Sequence, residues 1–175
     1  RILTLRGHKA SIYEKGSKLG GVFNAAAAPD FKEADKALLA WYEKQMKELG
    51  IDVHFGTEVT KDVIEGETPD AVIVASGAAP RKLSFKGEAE GQVVSAIDFL
   101  LGNKAVGKNI IVVGGGLTGC EIAYDIARKG GNVTLVEMTD KILAAPLLSA
   151  ANSNMLRDLM KYHSVEIITS AKIAE

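Results

Sequence analysis

Apolar positions along the chain follow two periods in turn, one helical and one of a strand, and the change from one to the other recurs. Ile2, Leu3 and Leu5 form a short helix-period stretch that runs into Gly7, and a brief alternating run then ends in the acid Glu14. After Pro29 and Asp30, Leu38, Tyr42, Met46 and Leu49 recur at helical spacing with Trp41 beside them, which predicts a helix facing a core. Residues 49–59 alternate again as a strand. Ala71 to Ala75 is continuously apolar and ends in Ser76-Gly77, the pattern of a buried strand. Residues 93–109 read as a connector passing Gly102 and Gly107. Ile110 to Val113 predicts a strand buried on both faces, and Ile122, Ala123, Ile126 and Ala127 an amphipathic helix. Gly130-Gly131, a strand ending in Glu137 and a last alternating segment at 163–173 follow. Strands separated by helices predict an α/β fold with parallel sheets.

The chain also contains itself twice. Residues 3–19, "LTLRGHKASIYEKGSKL", lie over residues 126–142, "IARKGGNVTLVEMTDKI", at an offset of 123. Gly7 then meets Gly130, Ser11 meets Thr134, Ile12 meets Leu135, Glu14 meets Glu137 and Lys18 meets Lys141. A second match, residues 49–59 over 163–173, has an offset of 114, so the first copy carries nine extra residues between its acid and its next strand. Two matches in the same order predict two related βαβ-type halves, with a boundary between residues 104 and 105.

The second copy shows what such a half contains. Directly after the strand, Gly114-Gly115-Gly116-Leu117-Thr118-Gly119 fits G-x-G-x-x-G, and Glu137 stands 18 residues beyond Gly119. Gly114 permits a tight turn, Gly116 lets the backbone approach a pyrophosphate, and Gly119 lets the helix pack close to the strand. The helix N-terminus offers unpaired N–H groups and a positive dipole end to the anion. Glu137 can accept hydrogen bonds from an adenosine ribose. A carboxylate there repels the 2′-phosphate of NADPH: two charges ~4 Å apart at an effective dielectric of ~20 interact by about 4 kcal/mol. Screening and side-chain movement reduce this to roughly 1–3 kcal/mol, so NADH is expected over NADPH. By the repeat, Glu14 is a second ribose acid. Subtracting 123 puts its glycine loop before residue 1, which leads us to expect that the chain is a piece of a longer protein.

Composition removes other classes. With 21 Lys+Arg against 22 Asp+Glu and few aromatics, nucleic acid and anionic membrane surfaces are not the expected partners. No apolar run reaches transmembrane length and no secretory signal pattern is present, which makes the cytoplasm the expected compartment. The single cysteine, Cys120, excludes an internal disulfide, and His8, His54 and His163 have no metal-ligand spacing, so no metal site is expected.

An acid followed by "KLGG", then "ASG", "VVGGGLTGCEIA" and "VTLVE", resembles the two-dinucleotide-domain flavoprotein reductases of the pyridine-nucleotide oxidoreductase superfamily. The stretch "LGGVFNAAAAPDFKEADKALLAWYEKQM" is similar to the C-terminal half of NADH:flavin oxidoreductases with an Old Yellow Enzyme-type barrel, such as 2,4-dienoyl-CoA reductase, 2-enoate reductase and NADH oxidase-like enzymes. The resemblance implies two Rossmann-like units, both incomplete: an FAD unit over 1–104 and an NAD(H) unit over 105–175. It implies that Glu14, with Lys15, binds the FAD ribose and that Gly20-Gly21 lines the pyrophosphate and flavin side. Val59 would offer backbone contacts to adenine, and Ala75-Ser76-Gly77 matches a second FAD motif. Gly114, Gly116, Leu117, Thr118, Gly119, Glu121 and Glu137 fall to NADH. In a full enzyme hydride would pass from NADH to FAD, and electrons would continue through an iron–sulfur cluster to FMN in the barrel, where an activated alkene is reduced.

Neither the barrel, a cysteine cluster nor an FMN site is in this sequence, and it stops at "KIAE", before the last strands of an NADH unit; FAD is therefore expected to bind weakly. No side chain reads as a general acid or base. Cys120 follows Gly119 at a helix start, where it is either a redox thiol or a small packing residue, and Glu121 is either near the nicotinamide path or a first-turn acid favoured by the helix dipole. A glutamate-synthase small-subunit-like electron-transfer module, and a non-catalytic NAD(H)-sensing module, are the alternative readings. The sensor has no need of Glu14, "KLGG" and "ASG".

Overall fold

The structure is a computed structural model that describes residues 1–80, 85–87 and 92–174. It divides into two compact units, residues 1–80 and 81–175. The first contains α1 (Ile2–Leu5), β1 (Ser11–Glu14), α2 (Phe23–Ala26), α3 (Glu33–Glu48), β2 (Asp52–Phe55) and α4 (Lys61–Glu67). The second contains α5 (Ala96–Leu100), β3 (Asn109–Val113), α6 (Leu117–Arg128), β4 (Asn132–Val136), α7 (Ala150–Tyr162) and β5 (Glu166–Ile168). The 104/105 boundary expected from sequence leaves α5 with the first half, but Phe99 and Leu100 of α5 pack against the core of the second unit.

Among the described residues all strand pairings are parallel. β3-β4-β5 form one sheet and β1-β2 the other. This mixed α/β architecture is Rossmann-like. The second unit has a closed core in which α6 and α7 cover one sheet face. Leu135 of β4 and Met160 of α7 are completely buried, beside Cys120, Ala123, Val133 and Leu156. The opposite face, carrying Ile111 and Val113, is exposed, so β3 is covered on one face rather than the two that its apolar run predicts.

The internal repeat is reproduced in register. Ser11, Ile12 and Tyr13 face Asp52, Val53 and His54 across β1-β2, and their counterparts Thr134, Leu135 and Val136 face Glu166, Ile167 and Ile168 across β4-β5. The backbone beyond the strands repeats too. Thr57 N donates to Glu14 O and Gly56 N to Gly16 O (both 3.0 Å); Ala171 N donates to Glu137 O (3.0 Å) and Ser170 N to Thr139 O (2.8 Å). Gly7 and Gly130 share a φ of +88°, a left-handed turn between helix and strand that favours glycine.

Three expectations fail in the first unit. Residues 71–75 are not a strand and are solvent-exposed, with Ile73 at 73% and Val74 at 83% exposure. A parallel strand needs a neighbour to satisfy its backbone. β4 has one on each side, whereas β1 is paired on its β2 edge only among the described residues. The helical stripe expected to be core is mostly outside: of its members only Met46 is buried, while Leu38, Trp41 and Tyr42 are exposed. Val59 lies beyond β2, in the segment before α4, because the chain turns at Gly56 with φ +65°. His54 has a structural place, stacked on its cross-strand partner Tyr13 at 4.4 Å and paired with Asp52 at 3.0 Å.

Candidate dinucleotide site of the second unit

The turn from β3 into α6 is shaped by its glycines. Gly114 has φ +104° and its N–H donates to Val136 O (2.8 Å), so the chain turns as it leaves the sheet. A Cβ on Gly119 would run into the carbonyl oxygen of Gly114, so only glycine lets α6 start so close to β3. Gly116 is the N-cap of α6, and a Cβ there would meet open space. With no capping side chain and with Gly116, Leu117 and Thr118 exposed, the first-turn N–H groups of this helix face solvent. These features fit an anionic pyrophosphate: a cradle of backbone donors, a positive helix end and no side chain in the way.

Sequence reasoning missed Gly115, one of the variable positions of the motif. A Cβ there would stand 2.7 Å from Ile142 Cγ2 and 3.0 Å from Glu137 Cβ. The tightness brings the Gly115 N–H to Glu137 Oε2 at 2.6 Å, and Gly115 O accepts from Leu143 N at 2.7 Å. The other carboxylate oxygen, Oε1, accepts from Thr139 N (2.7 Å) and Thr139 Oγ1 (2.8 Å). These donors, the Thr139 backbone foremost and then Gly115, hold the Glu137 carboxyl below the usual glutamate range. The acid is therefore charged, oriented and next to the glycine turn. Three donors leave lone-pair capacity for a ribose hydroxyl. Three glycines in a row were the visible signal for Gly115; nothing in the sequence marked Thr139.

Cys120 is fully buried, and its Sγ donates to Gly115 O at 3.3 Å. Burial pushes its thiol up to about 12, against a lesser opposite pull from Arg157. That is the environment of a packing residue, not of a reactive thiolate. Glu121 is half-buried in the second turn of α6, since no acid occupies the first turn.

In the first unit Glu14 Oε1 accepts from Gly16 N at 2.6 Å, the counterpart of the contact between Glu137 and Thr139 N. Lys15 pairs with Glu58 at 2.8 Å on the surface. Gly20 (φ +107°) and Gly21 (φ +49°) form a turn in which a Cβ on Gly20 would press on Asn24 and Leu39. Ala75, Ser76 and Gly77 are exposed and irregular, with Gly77 at φ +72°; Arg81 and Lys82, the end of that motif, lie outside the described residues. Of the residues expected at FAD, Glu14 thus accepts from the amide two residues on, as Glu137 does in the second unit. The Gly20-Gly21 turn opens the four-residue helix α2, with Phe23 N donating to Gly20 O at 3.0 Å.

A glycine turn, an uncapped helix start and a tethered acid on a parallel sheet are consistent with Rossmann-like dinucleotide-binding folds. Residues 65–175 match the family model of the pyridine nucleotide-disulphide oxidoreductases, and the chain belongs to that family. It is 39% identical to a cinnamate reductase of Clostridium sporogenes over all of its own length and 26% of the relative's. It is 38% identical to an NADH oxidase of Thermoanaerobacter brockii over 78% of itself and 22% of that protein. Among solved structures it resembles a 2-naphthoyl-CoA reductase bound to 2-naphthoyl-CoA, with a TM-score of 0.89, 26% identity, and coverage of 99% of this chain and 26% of the other. The chain spans about a quarter of the length of these relatives, which are flavoprotein oxidoreductases. Among the described residues no helix is long and apolar enough to cross a membrane.

Proposed function

We propose that this chain is the nucleotide-binding part of an NADH-dependent flavin oxidoreductase, with NADH bound at the second unit and FAD associated with the first. The observation that carries the reading is the contact of the Glu137 carboxylate with the Gly115 amide at 2.6 Å, which sets a charged ribose acceptor against the turn suited to a pyrophosphate. The repeated tether at Glu14 supports a second dinucleotide, and relatives named NADH oxidase and cinnamate reductase support the reaction class. Bound NADH would supply a hydride for FAD. Residues of this chain would hold the adenosine and pyrophosphate: Gly114, Gly116, Leu117, Thr118 and Gly119 through the backbone, and Glu137 at the ribose. In the longer protein, electrons would pass through an iron–sulfur cluster to FMN in a barrel domain of the same polypeptide, where an enoate- or enoyl-type substrate is reduced. The fluorescence of NADH and the absorbance of FAD test this in separate titrations of the chain. NADH is expected to bind roughly 5- to 150-fold more tightly than NADPH, the equivalent of about 1–3 kcal/mol. FAD is expected to bind weakly. Equal affinity for the two nicotinamide nucleotides, or tighter NADPH, would sink the assignment of Glu137.

A further inference from the structure

The two repeated acids differ in one respect that bears on selectivity. Two residues after Glu14 the chain has Gly16, which offers its N–H alone; two residues after Glu137 it has Thr139, which offers an N–H and a hydroxyl to the same oxygen. The hydroxyl also reaches Lys141 O at 2.9 Å, so its proton is shared between the acid and the chain leading to Ile142. That chain returns to the glycine turn, where Leu143 N donates to Gly115 O at 2.7 Å. Gly115 N completes a ring by donating to Glu137 Oε2 at 2.6 Å. Thr139 is itself held from behind, its carbonyl accepting from Ser170 N at 2.8 Å. Its side chain is the link that ties the acid to the returning segment, and it is exposed on the surface where a ribose would lie.

We infer that Thr139 is a positioning residue for nucleotide selectivity: its hydroxyl adds a third donor to the backbone N–H groups of Gly115 and Thr139 and narrows the turning of the Glu137 carboxylate, so a ribose hydroxyl meets an aligned acceptor and a ribose phosphate meets a fixed negative charge. This rests on the assignment of NADH to the second unit. With the two backbone donors alone, the carboxylate can turn further to relieve its repulsion with a phosphate, but it loses alignment with a hydroxyl. Removing the hydroxyl therefore moves the two affinities toward each other, whereas a loss of folding lowers both together.

The test measures dissociation constants for NADH and NADPH on the chain and on Thr139→Val, Thr139→Ala and Thr139→Ser, with Glu137→Gln as the reference for loss of the acid. The Val and Ala variants are expected to lower the NADH preference about three- to tenfold, and Ser to retain it. Carbon-detected NMR titration of the Glu137 carboxyl, which needs no nucleotide, is expected to show its pKa rising toward the ordinary glutamate value in the Val and Ala variants. An unchanged preference in those variants while Glu137→Gln abolishes it would overturn the inference and leave the NADH assignment standing. A preference untouched by Glu137→Gln, or wild-type chain that binds neither nucleotide, would overturn that assignment and the inference with it.

Discussion

The two units of this chain fold the same motif to different depths. Each has a left-handed glycine turn, a strand, an acid and a parallel neighbour in the same register, and in each the N–H two residues on donates to the acid. The second unit adds β3 and α6, and its strand β4 is buried against two helices with Leu135 wholly inaccessible. The counterpart Ile12 in the first unit is only half-buried, and an apolar segment nearby in sequence, 71–75, is exposed. Local sequence is thus sufficient for the strand–acid device, while a packed core depends on a further strand and helix on the other edge of the same strand.

Breaking the glycine turn is the largest perturbation this comparison predicts. Gly119→Ala drives a methyl group into the Gly114 carbonyl, which the sheet fixes in place. The cost is expected at about 3 kcal/mol or more, at the upper end of overpacking penalties. Urea denaturation should show the loss, and NADH binding should disappear with it. Gly7→Ala, in the first unit, meets no neighbouring atom and costs only the strain of its positive φ, about 1 kcal/mol.

The counterpart core positions give a smaller, graded contrast. Leu135→Ala is expected to destabilise the second unit by about 2–5 kcal/mol, and Ile12→Ala the first by about 1–2 kcal/mol, in proportion to burial. The single tryptophan, Trp41 on α3, and the single cysteine, Cys120 in the second core, report the two units independently. Fluorescence should follow Ile12→Ala, and thiol labelling in urea should follow Leu135→Ala. Equal shifts of both probes in both variants would show that the units unfold as one.

The mildest effect is on pH dependence. Because the folded pKa of Glu137 lies below its ordinary value, its contribution is fully present at neutral pH. It begins to be lost below about pH 4.3, the unfolded value, and is gone once the pH falls through the lowered folded value. Glu137→Gln should cost about 1–2 kcal/mol at pH 7, in the range of hydrogen bonds to a charged group. It should also flatten the stability curve between pH 5 and pH 3, measured by urea midpoints. Glu14 accepts, among the described residues, from one backbone donor, and changing it to Gln is expected to cost less stability.

Much of this was legible in one dimension. Glycine spacing and the acid at 137 are local signals, and with the offset repeat they place β1, β3, α6 and β4. The stripe from Leu38 to Leu49 misled because helical period reports which face is apolar, not whether anything covers it. Residues 71–75 misled similarly, since a run of small and β-branched residues has strand propensity but cannot supply its own partner. Gly115 and Thr139 were overlooked because their importance lies in what the chain brings back to them from residues 137–143.

The sequence by itself determined the α/β alternation and the duplication, because turns, caps and strand alternation depend on neighbours a few positions apart. Tertiary structure alone decided which apolar faces are buried and how the acid is held. Burial needs surfaces distant in sequence to meet, and the orientation of Glu137 depends on an amide 22 residues earlier in the chain.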